Sequence, residues 1–108
     1  MTVAELAAGC GFEVLCLPDP EREVDGVYIG DLLSWVMGRA RQDNAWITIM
    51  SNVNVIAVGT LSDVSCILFA EGVLPEADII ETARAKGVNL LLAPMPAYEA
   101  AIKLHEAL

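Results

Sequence analysis

The side chains that could support catalysis or metal binding are few and lie far apart in the chain. Three cysteines (Cys10, Cys16 and Cys66) sit in apolar surroundings, and the single histidine, His105, lies near the C-terminus. A reactive cysteine needs a neighbouring base or cation, and a zinc or iron–sulfur site needs closely spaced ligands. Neither pattern is present. We therefore expect buried, reduced thiols, no catalytic residue, no metal and no cofactor.

Hydrogen bonding is the chemistry that the remaining polar residues offer, and several of them follow predicted strands. In open α/β sheets, ligands bind beyond the carboxyl ends of the strands. The candidate ligand-binding residues at this edge are Ser51, Asn52, Asn54, Glu71, Gly72 and Tyr98. Two interpretations stay open, because these residues could bind a small molecule or could simply cap a helix, as Ser and Asn often do. The loop at Pro18 and Asp19 is expected at the same edge.

The stretch from Val64 to Pro94 determines the predicted fold class. An apolar run at 64–69 is followed by a turn at 70–72, a helix at 75–86 with Pro75 in its first turn, and a strand at 89–93. Gly87 is expected to cap the helix. This is a strand–helix–strand unit. Its turn lies where such units often bind phosphate, yet it carries Glu71 and no lysine or arginine.

The other elements follow from capping signals and hydrophobic periodicity. Thr2 and Glu5 form a capping box that begins a short helix ending at Gly9 or Gly11. Strands are predicted at 12–17, 26–29 and 45–50, and a last helix from 96 or 97 to 107. Two further helices are expected to begin at N-caps formed by the side chains of Asp31 and Ser51.

This order of elements predicts an α/β fold: a three-layer α/β/α single domain with a mostly parallel sheet of about five strands. The helix-free link between the first two strands favours one antiparallel or non-adjacent pairing. A chain of 108 residues can bury one core, and its 56% hydrophobic content suits a sheet covered on both faces. A subunit interface would also hide apolar surface, and Trp35 is the preferred interface residue.

The charge of the chain argues against binding to nucleic acid, and its hydrophobic pattern argues against a membrane segment. The net charge is −9, and the six basic residues are scattered, with no run beyond the pair Arg39 and Arg41. Nucleic-acid binding requires a basic surface to neutralise phosphates. No apolar run is long enough to span a membrane, and the N-terminal residues lack the pattern of a signal peptide. We expect a cytoplasmic protein.

Four segments together resemble a known family. They are a glycine-bounded strand at 25–30, a polar pair opening a helix at 51–54, an Ala-Glu-Gly-x-x-Pro segment at 70–75, and a strand ending at Ala93 and Pro94. This pattern resembles the DRTGG domain, a module found beside CBS domains in some pyrophosphatases and in the N-terminal part of some phosphotransacetylases. It is related to the N-terminal domain of HPr kinase/phosphorylase.

The resemblance covers nearly the whole chain from Phe12 onward, so residues 1–108 are expected to form one DRTGG-like α/β domain. The Asp-Arg-Thr part of the family signature would fall at about 51–54, where this chain has neither Asp nor Arg. The Thr-Gly-Gly part would fall on 70–72, where only Gly72 remains. The resemblance is therefore to a divergent, stand-alone branch, and the missing arginine weakens any inherited anion-binding role.

Two functional hypotheses follow. The resemblance implies a non-catalytic regulatory or protein-interaction module, homodimeric and working in trans with a larger protein. Such a module could sense a small ligand, a nucleotide or another metabolite, at the carboxyl edge of the sheet. The alternative is a small enzyme or transferase-like domain that acts on a phosphorylated or acyl metabolite. The lack of a nucleophile–base pair favours the regulatory hypothesis.

Overall fold

The computed structural model describes residues 1–108 and contains five strands and five helices. The strands are β1 (Glu13–Cys16), β2 (Gly26–Ile29), β3 (Asn44–Thr48), β4 (Cys66–Phe69) and β5 (Leu90–Leu92). The helices are α1 (Val3–Cys10), α2 (Leu33–Arg39), α3 (Asn54–Ser62), α4 (Ala77–Lys86) and α5 (Ala97–Ala107). None of the helices combines the length and apolar character that crossing a membrane requires.

The strands form one sheet in the order β1-β5-β4-β3-β2. The four strands β2 to β5 are parallel and lie side by side in chain order, whereas β1 pairs antiparallel with β5. The predicted α/β class and mostly parallel sheet are therefore confirmed. The helix-free link between β1 and β2 joins the two opposite edges of the sheet.

Helices cover both faces of the sheet and bury a separate apolar core on each side. On one face, α1 and α5 contribute Leu6 and Leu104, both essentially fully buried. On the other face, α2, α3 and α4 contribute Val36, Ile56 and Ile79. Because the central strands contact helices on both sides, all four residues of β4 are buried. This explains why β4 is apolar throughout and shows no alternation.

The first helix begins and ends as its sequence predicts. The Thr2 hydroxyl accepts a hydrogen bond from the backbone N–H of Glu5 at 3.1 Å, and the Glu5 carboxylate accepts one from the N–H of Thr2 at 2.9 Å. Gly11 ends α1 with a φ of 72°, and Gly87 ends α4 with a φ of 74°. The left-handed backbone at both positions favours glycine.

The prediction that Asp31 caps α2 is wrong. Leu32 occupies the N-cap position, and no side chain caps that helix. The Asp31 carboxylate instead accepts hydrogen bonds from the Thr48 hydroxyl at 2.8 Å and from the N–H of Ile49 at 2.9 Å. The physical reason lies in the parallel pairing of β2 and β3, which brings their carboxyl ends together. The buried Thr48 hydroxyl needs an acceptor there, and Asp31 is within reach.

The predicted starts of α3 and α4 are also wrong by a few residues. Ser51 is not an N-cap, because α3 begins at Asn54 and its N-cap residue is Val53. The side chain of Asn52 orders this turn instead, since its Oδ1 accepts from the N–H of Asn54 at 2.9 Å. The helix α4 begins at Ala77 rather than at residue 75.

The loop at Pro18 and Asp19 does not lie at the carboxyl ends of the parallel strands, as predicted, but beside their amino ends. Because β1 is antiparallel to β5, the carboxyl end of β1 meets the amino end of β5. The Asn89 side chain holds the loop there through two hydrogen bonds with the backbone of Asp19, at 2.8 and 2.9 Å. This loop therefore contributes nothing to a site at the carboxyl edge of the parallel strands.

Candidate functional site

The carboxyl edge of β2 to β5 contains one point at which the chain changes face. The loop after β4 leads to α4 on one side of the sheet, and the loop after β5 leads to α5 on the other side. Such a switch point is the usual place for a ligand crevice in an open α/β sheet. In the sequence, this position corresponds to the turn at 70–72.

Backbone hydrogen bonds close this crevice. The N–H of Glu71 donates to the carbonyl oxygen of Met95, and the N–H of Gly72 donates to that of Ala93, both at 2.9 Å. Glu71 and Gly72 both adopt the left-handed backbone, with φ values of 61° and 66°. The two amides that would bind a phosphate are thus bonded to the segment after β5.

An open groove lies beside the closed crevice, between the starts of α3 and α4. Its volume is about 530 Å³. The residues that line it are Ser51, Asn52, Val53, Leu74, Glu76, Asp78 and Ile79. We call this feature the α3–α4 groove. It combines one hydroxyl, one amide and two carboxylates with three aliphatic side chains.

Local turns place the polar groups of the α3–α4 groove. The Oδ1 of Asn52 is bonded to the start of α3, and the Nδ2 group of this exposed side chain has no partner in the protein. The hydroxyl of Ser51 has no hydrogen-bond partner either. Asp78 lies in the first turn of α4, where its negative charge is favoured by the helix dipole. The groove therefore offers a free amide donor, a free hydroxyl and carboxylate acceptors.

The charge of the α3–α4 groove is entirely negative. Glu76 and Asp78 are its only charged residues, and no lysine, arginine or histidine lines it. A ligand with amine or hydroxyl donors can bond to the two carboxylates, whereas a phosphate group would be repelled by them. Across the whole chain, no group of three or more His, Cys, Asp or Glu side chains is arranged to hold a metal ion.

The structure brings together two of the six candidate residues, Ser51 and Asn52. Asn54 begins α3 with an exposed side chain and does not line the groove. Glu71 and Gly72 belong to the closed turn. Tyr98 is 75% exposed on α5, which packs on the opposite face of the sheet, so it is not a wall of the groove.

Sequence reasoning missed the side of the groove that comes from the β4–α4 connection. Leu74, Glu76 and Asp78 belong to that connection and to the first turn of α4. In the sequence, acidic residues at these two positions are typical of the positive end of a helix and do not by themselves indicate a groove. The signal available in the sequence was Leu74, an apolar residue in a loop between a turn and a proline.

The three cysteines are free and buried, as predicted. Burial raises the pKa of the Cys66 thiol to about 12, and it also raises the pKa values of Cys10 and Cys16. The thiol of Cys16 donates to the carbonyl oxygen of Val88 at 3.3 Å. At neutral pH these thiols are protonated and therefore poor nucleophiles.

No family model matches the chain, and none of the curated proteins matches it. A solved structure does: the CBS and DRTGG domains of the regulatory region of Clostridium perfringens pyrophosphatase, in complex with the activator diadenosine tetraphosphate. The TM-score is 0.77 at 14% sequence identity. The fold is DRTGG-like. The match covers 99% of this chain and 47% of the pyrophosphatase chain, so this chain corresponds to about half of that regulatory region.

Proposed function

We propose that this chain is a non-catalytic regulatory module that senses a small ligand in the α3–α4 groove and works as a homodimer in trans with a larger protein. The observation that carries the proposal is the open groove of about 530 Å³ at the carboxyl edge of the parallel strands. This is the edge at which α/β folds bind ligands, and it holds unpartnered polar groups on Ser51 and Asn52.

The DRTGG-like fold supports a regulatory role. The similar pyrophosphatase region is regulatory and binds a nucleotide activator. At 14% identity the likeness extends to the fold, so the choice of ligand has to be argued from the residues of this chain. The high pKa of the Cys66 thiol keeps it protonated at neutral pH, which supports a binding role over cysteine-dependent catalysis.

The chemistry of the groove favours a nucleoside over a nucleoside polyphosphate. Nδ2 of Asn52 and the hydroxyl of Ser51 can bond to the edge of a base, and the carboxylates of Glu76 and Asp78 can accept from ribose hydroxyls or an exocyclic amine. The same two carboxylates oppose a polyphosphate, because no cation lines the groove. Adenosine is therefore expected to bind more tightly than ATP or diadenosine tetraphosphate.

Calorimetric titration with adenosine, ATP and diadenosine tetraphosphate tests this proposal. Asn52→Asp keeps an acceptor for the N–H of Asn54 but removes the free amide donor, so adenosine should bind at least about tenfold more weakly, a loss of about 1.4 kcal/mol. Asn44→Asp is the matched control. The Oδ1 of Asn44 likewise accepts from a backbone N–H, that of Arg41 at 3.0 Å, but Asn44 lies at the amino ends of the parallel strands, away from the groove.

Three outcomes would count against the proposal. Absence of binding by any nucleoside or nucleotide would overturn the ligand-sensing role. Equal weakening by Asn52→Asp and Asn44→Asp would place the ligand elsewhere. Tighter binding of the polyphosphates than of adenosine would refute the argument from the two carboxylates.

A further inference from the structure

The two edges of the sheet differ in how well they are protected from pairing with another strand. The edge strand β1 has an exposed Glu13, an irregularity in its register between Val14 and Cys16, and Pro18 just beyond its end. Charges, bulges and prolines are the usual means of protecting an edge. The other edge strand, β2 (Gly26–Ile29), has none of these features within its four residues.

An apolar stripe on α5 flanks the unprotected β2 edge on one side. Tyr98, Ile102 and Leu108 are 75%, 39% and 48% exposed, and with Ala101 and His105 they recur at the spacing of one side of a helix. Between this stripe and β2 lies a groove of about 560 Å³. The charged residues of α5 lie on its other side, where Lys103 and Glu106 adjoin α1.

A second apolar stripe flanks the same edge on the opposite face of the sheet. Leu32 and Trp35, 58% and 52% exposed, precede Arg39 at helical spacing, and the Arg39 guanidinium stacks on the Trp35 ring at 3.9 Å. Val36 faces the sheet, and α2 has a helical neighbour, α3, on one side only. Because the β2–α2–β3 crossover is right-handed, Leu32 and Trp35 lie on the side of α2 that faces away from α3, above β2.

We propose that the β2 edge and its two flanking stripes form the homodimer interface. In this arrangement β2 of one protomer pairs antiparallel with β2 of its partner about a two-fold axis, joining two five-stranded sheets into one. This inference rests on the homodimer of the proposed function and adds where the two copies meet. The α3–α4 groove is not part of the interface.

The exposed apolar area at this edge is close to what a stable dimer requires. A fully buried aromatic side chain hides roughly 150–250 Å², so the exposed parts of Trp35 and Tyr98 supply about 200–300 Å². The exposed parts of four aliphatic side chains, Ile29, Leu32, Ile102 and Leu108, add about 120–240 Å². This area follows from converting the transfer free energy of a fully buried aliphatic side chain into buried area. With about 60% of an interface apolar, this corresponds to roughly 500–900 Å² per protomer, against about 800 Å² in a standard interface.

The charge distribution favours a second copy as the occupant. Each protomer carries a net charge of −9, so two copies can approach closely only where few carboxylates lie. Residues 26–30 are uncharged, and the one acidic side chain of the flanking groove, Asp25, shares that groove with His105. A two-fold interface also needs a surface that complements itself. An unprotected strand edge does so, because antiparallel pairing satisfies the same donors and acceptors on both copies.

Light scattering on the whole chain tests this interface with two matched lysine substitutions. Ile29 and Val14 are 51% and 45% exposed on the two edge strands, so Ile29→Lys and Val14→Lys place the same charge on opposite edges. We expect the unsubstituted chain and Val14→Lys to be dimers, and Ile29→Lys to raise the dimer dissociation constant at least tenfold. Tyr98→Glu, on a helix surface where folding is unaffected, should do the same.

Each other result overturns the inference in a recognisable way. If the unsubstituted chain is a monomer at high micromolar concentration, the homodimer of the proposed function fails together with this interface. If the chain is a dimer that Ile29→Lys and Tyr98→Glu leave intact, only the interface proposed here is wrong. Loss of the dimer with Val14→Lys alone would assign the contact to the β1 edge. Circular dichroism checks that each variant is folded.

Discussion

Asn89 offers the sharpest test of how β1 is held to the parallel strands. It is 2% exposed at the amino end of β5. Its Oδ1 accepts from the N–H of Asp19 at 2.9 Å, and its Nδ2 donates to the carbonyl oxygens of Asp19 and Ser65 at 2.8 and 3.0 Å. One buried side chain therefore joins the loop after β1 to the segments that begin β4 and β5.

Replacing Asn89 with alanine should lower the free energy of unfolding by about 2–4 kcal/mol. Each of the three hydrogen bonds contributes about 0.5–1.5 kcal/mol, and a buried group left without a partner adds to the loss. A cavity of about 140 Å³ touches Asp19, Ser65 and Asn89, so water can replace part of the bonding and keep the loss within that range. At about 4–8 °C per kcal/mol, the melting temperature should fall by about 8–32 °C.

Urea denaturation followed by tryptophan fluorescence measures this change, since Trp46 is fully buried in the native fold. Asn44→Ala is the control because it removes a single exposed hydrogen bond to the N–H of Arg41, and it should lower stability by about 0.5–1 kcal/mol. A loss for Asn89→Ala no larger than for the control would refute the reasoning. Asn89→Asp should be less stable at pH 7 than at pH 4, because an ionised carboxylate would face two carbonyl oxygens.

Two further predictions concern the helix glycines and the deepest thiol. Gly38→Ala should stabilise the protein by about 0.5–1 kcal/mol in a denaturation series, because its Cβ would meet no atom within 4 Å. Gly59→Ala should fail to do so, since its Cβ would lie 2.9 Å from Cδ1 of the buried Ile67; equal gains would contradict this. The pKa of Cys66 is raised from 9.0 to about 12, so its contribution to stability is fully present below pH 9 and is lost as pH rises toward 12, by up to about 1.4 kcal/mol per pH unit. Cys66→Ala should flatten that decline, and an unchanged pH slope would refute the assignment.

The fold was predictable because its signals are local. Three examples are the capping box at Thr2 and Glu5, the cap at Gly87 and the apolar run of β4. Each of these signals is contained within a few consecutive residues. The order of strands and helices then predicts a mostly parallel sheet, because a helix between two successive strands returns the chain to the end at which the first strand began. The missing helix between β1 and β2 favours one antiparallel or non-adjacent pairing, and in the structure β1 is antiparallel to β5 and is not adjacent to β2.

Two of the errors arose from contacts between segments that are distant in sequence. Asp31 has the residue type and position of an N-cap, yet it accepts hydrogen bonds from Thr48 and Ile49 on the next strand. Asp19 follows a strand, yet it lies beside the amino ends of the parallel strands, because β1 pairs antiparallel with β5 and Asn89, 70 residues away in sequence, bonds to it there. Capping rules consider only the residues next to one end of a helix, so they do not include hydrogen-bond partners that are distant in sequence.

The turn at 70–72 shows why a strand–turn–helix pattern alone does not establish a phosphate site. No residue close in sequence offers an acceptor to the backbone N–H groups of this turn. In the fold, however, they donate to the carbonyl oxygens of Ala93 and Met95 after β5. A ligand at the switch point would have to displace both hydrogen bonds and approach the carboxylate of Glu71. Ligand binding at this edge therefore has to use groups that the fold leaves free, and Ser51 and Asn52 carry them. The distinction is measurable: Glu71→Gln removes the charge at the closed turn and should leave adenosine affinity unchanged, whereas Asn52→Asp should lower it.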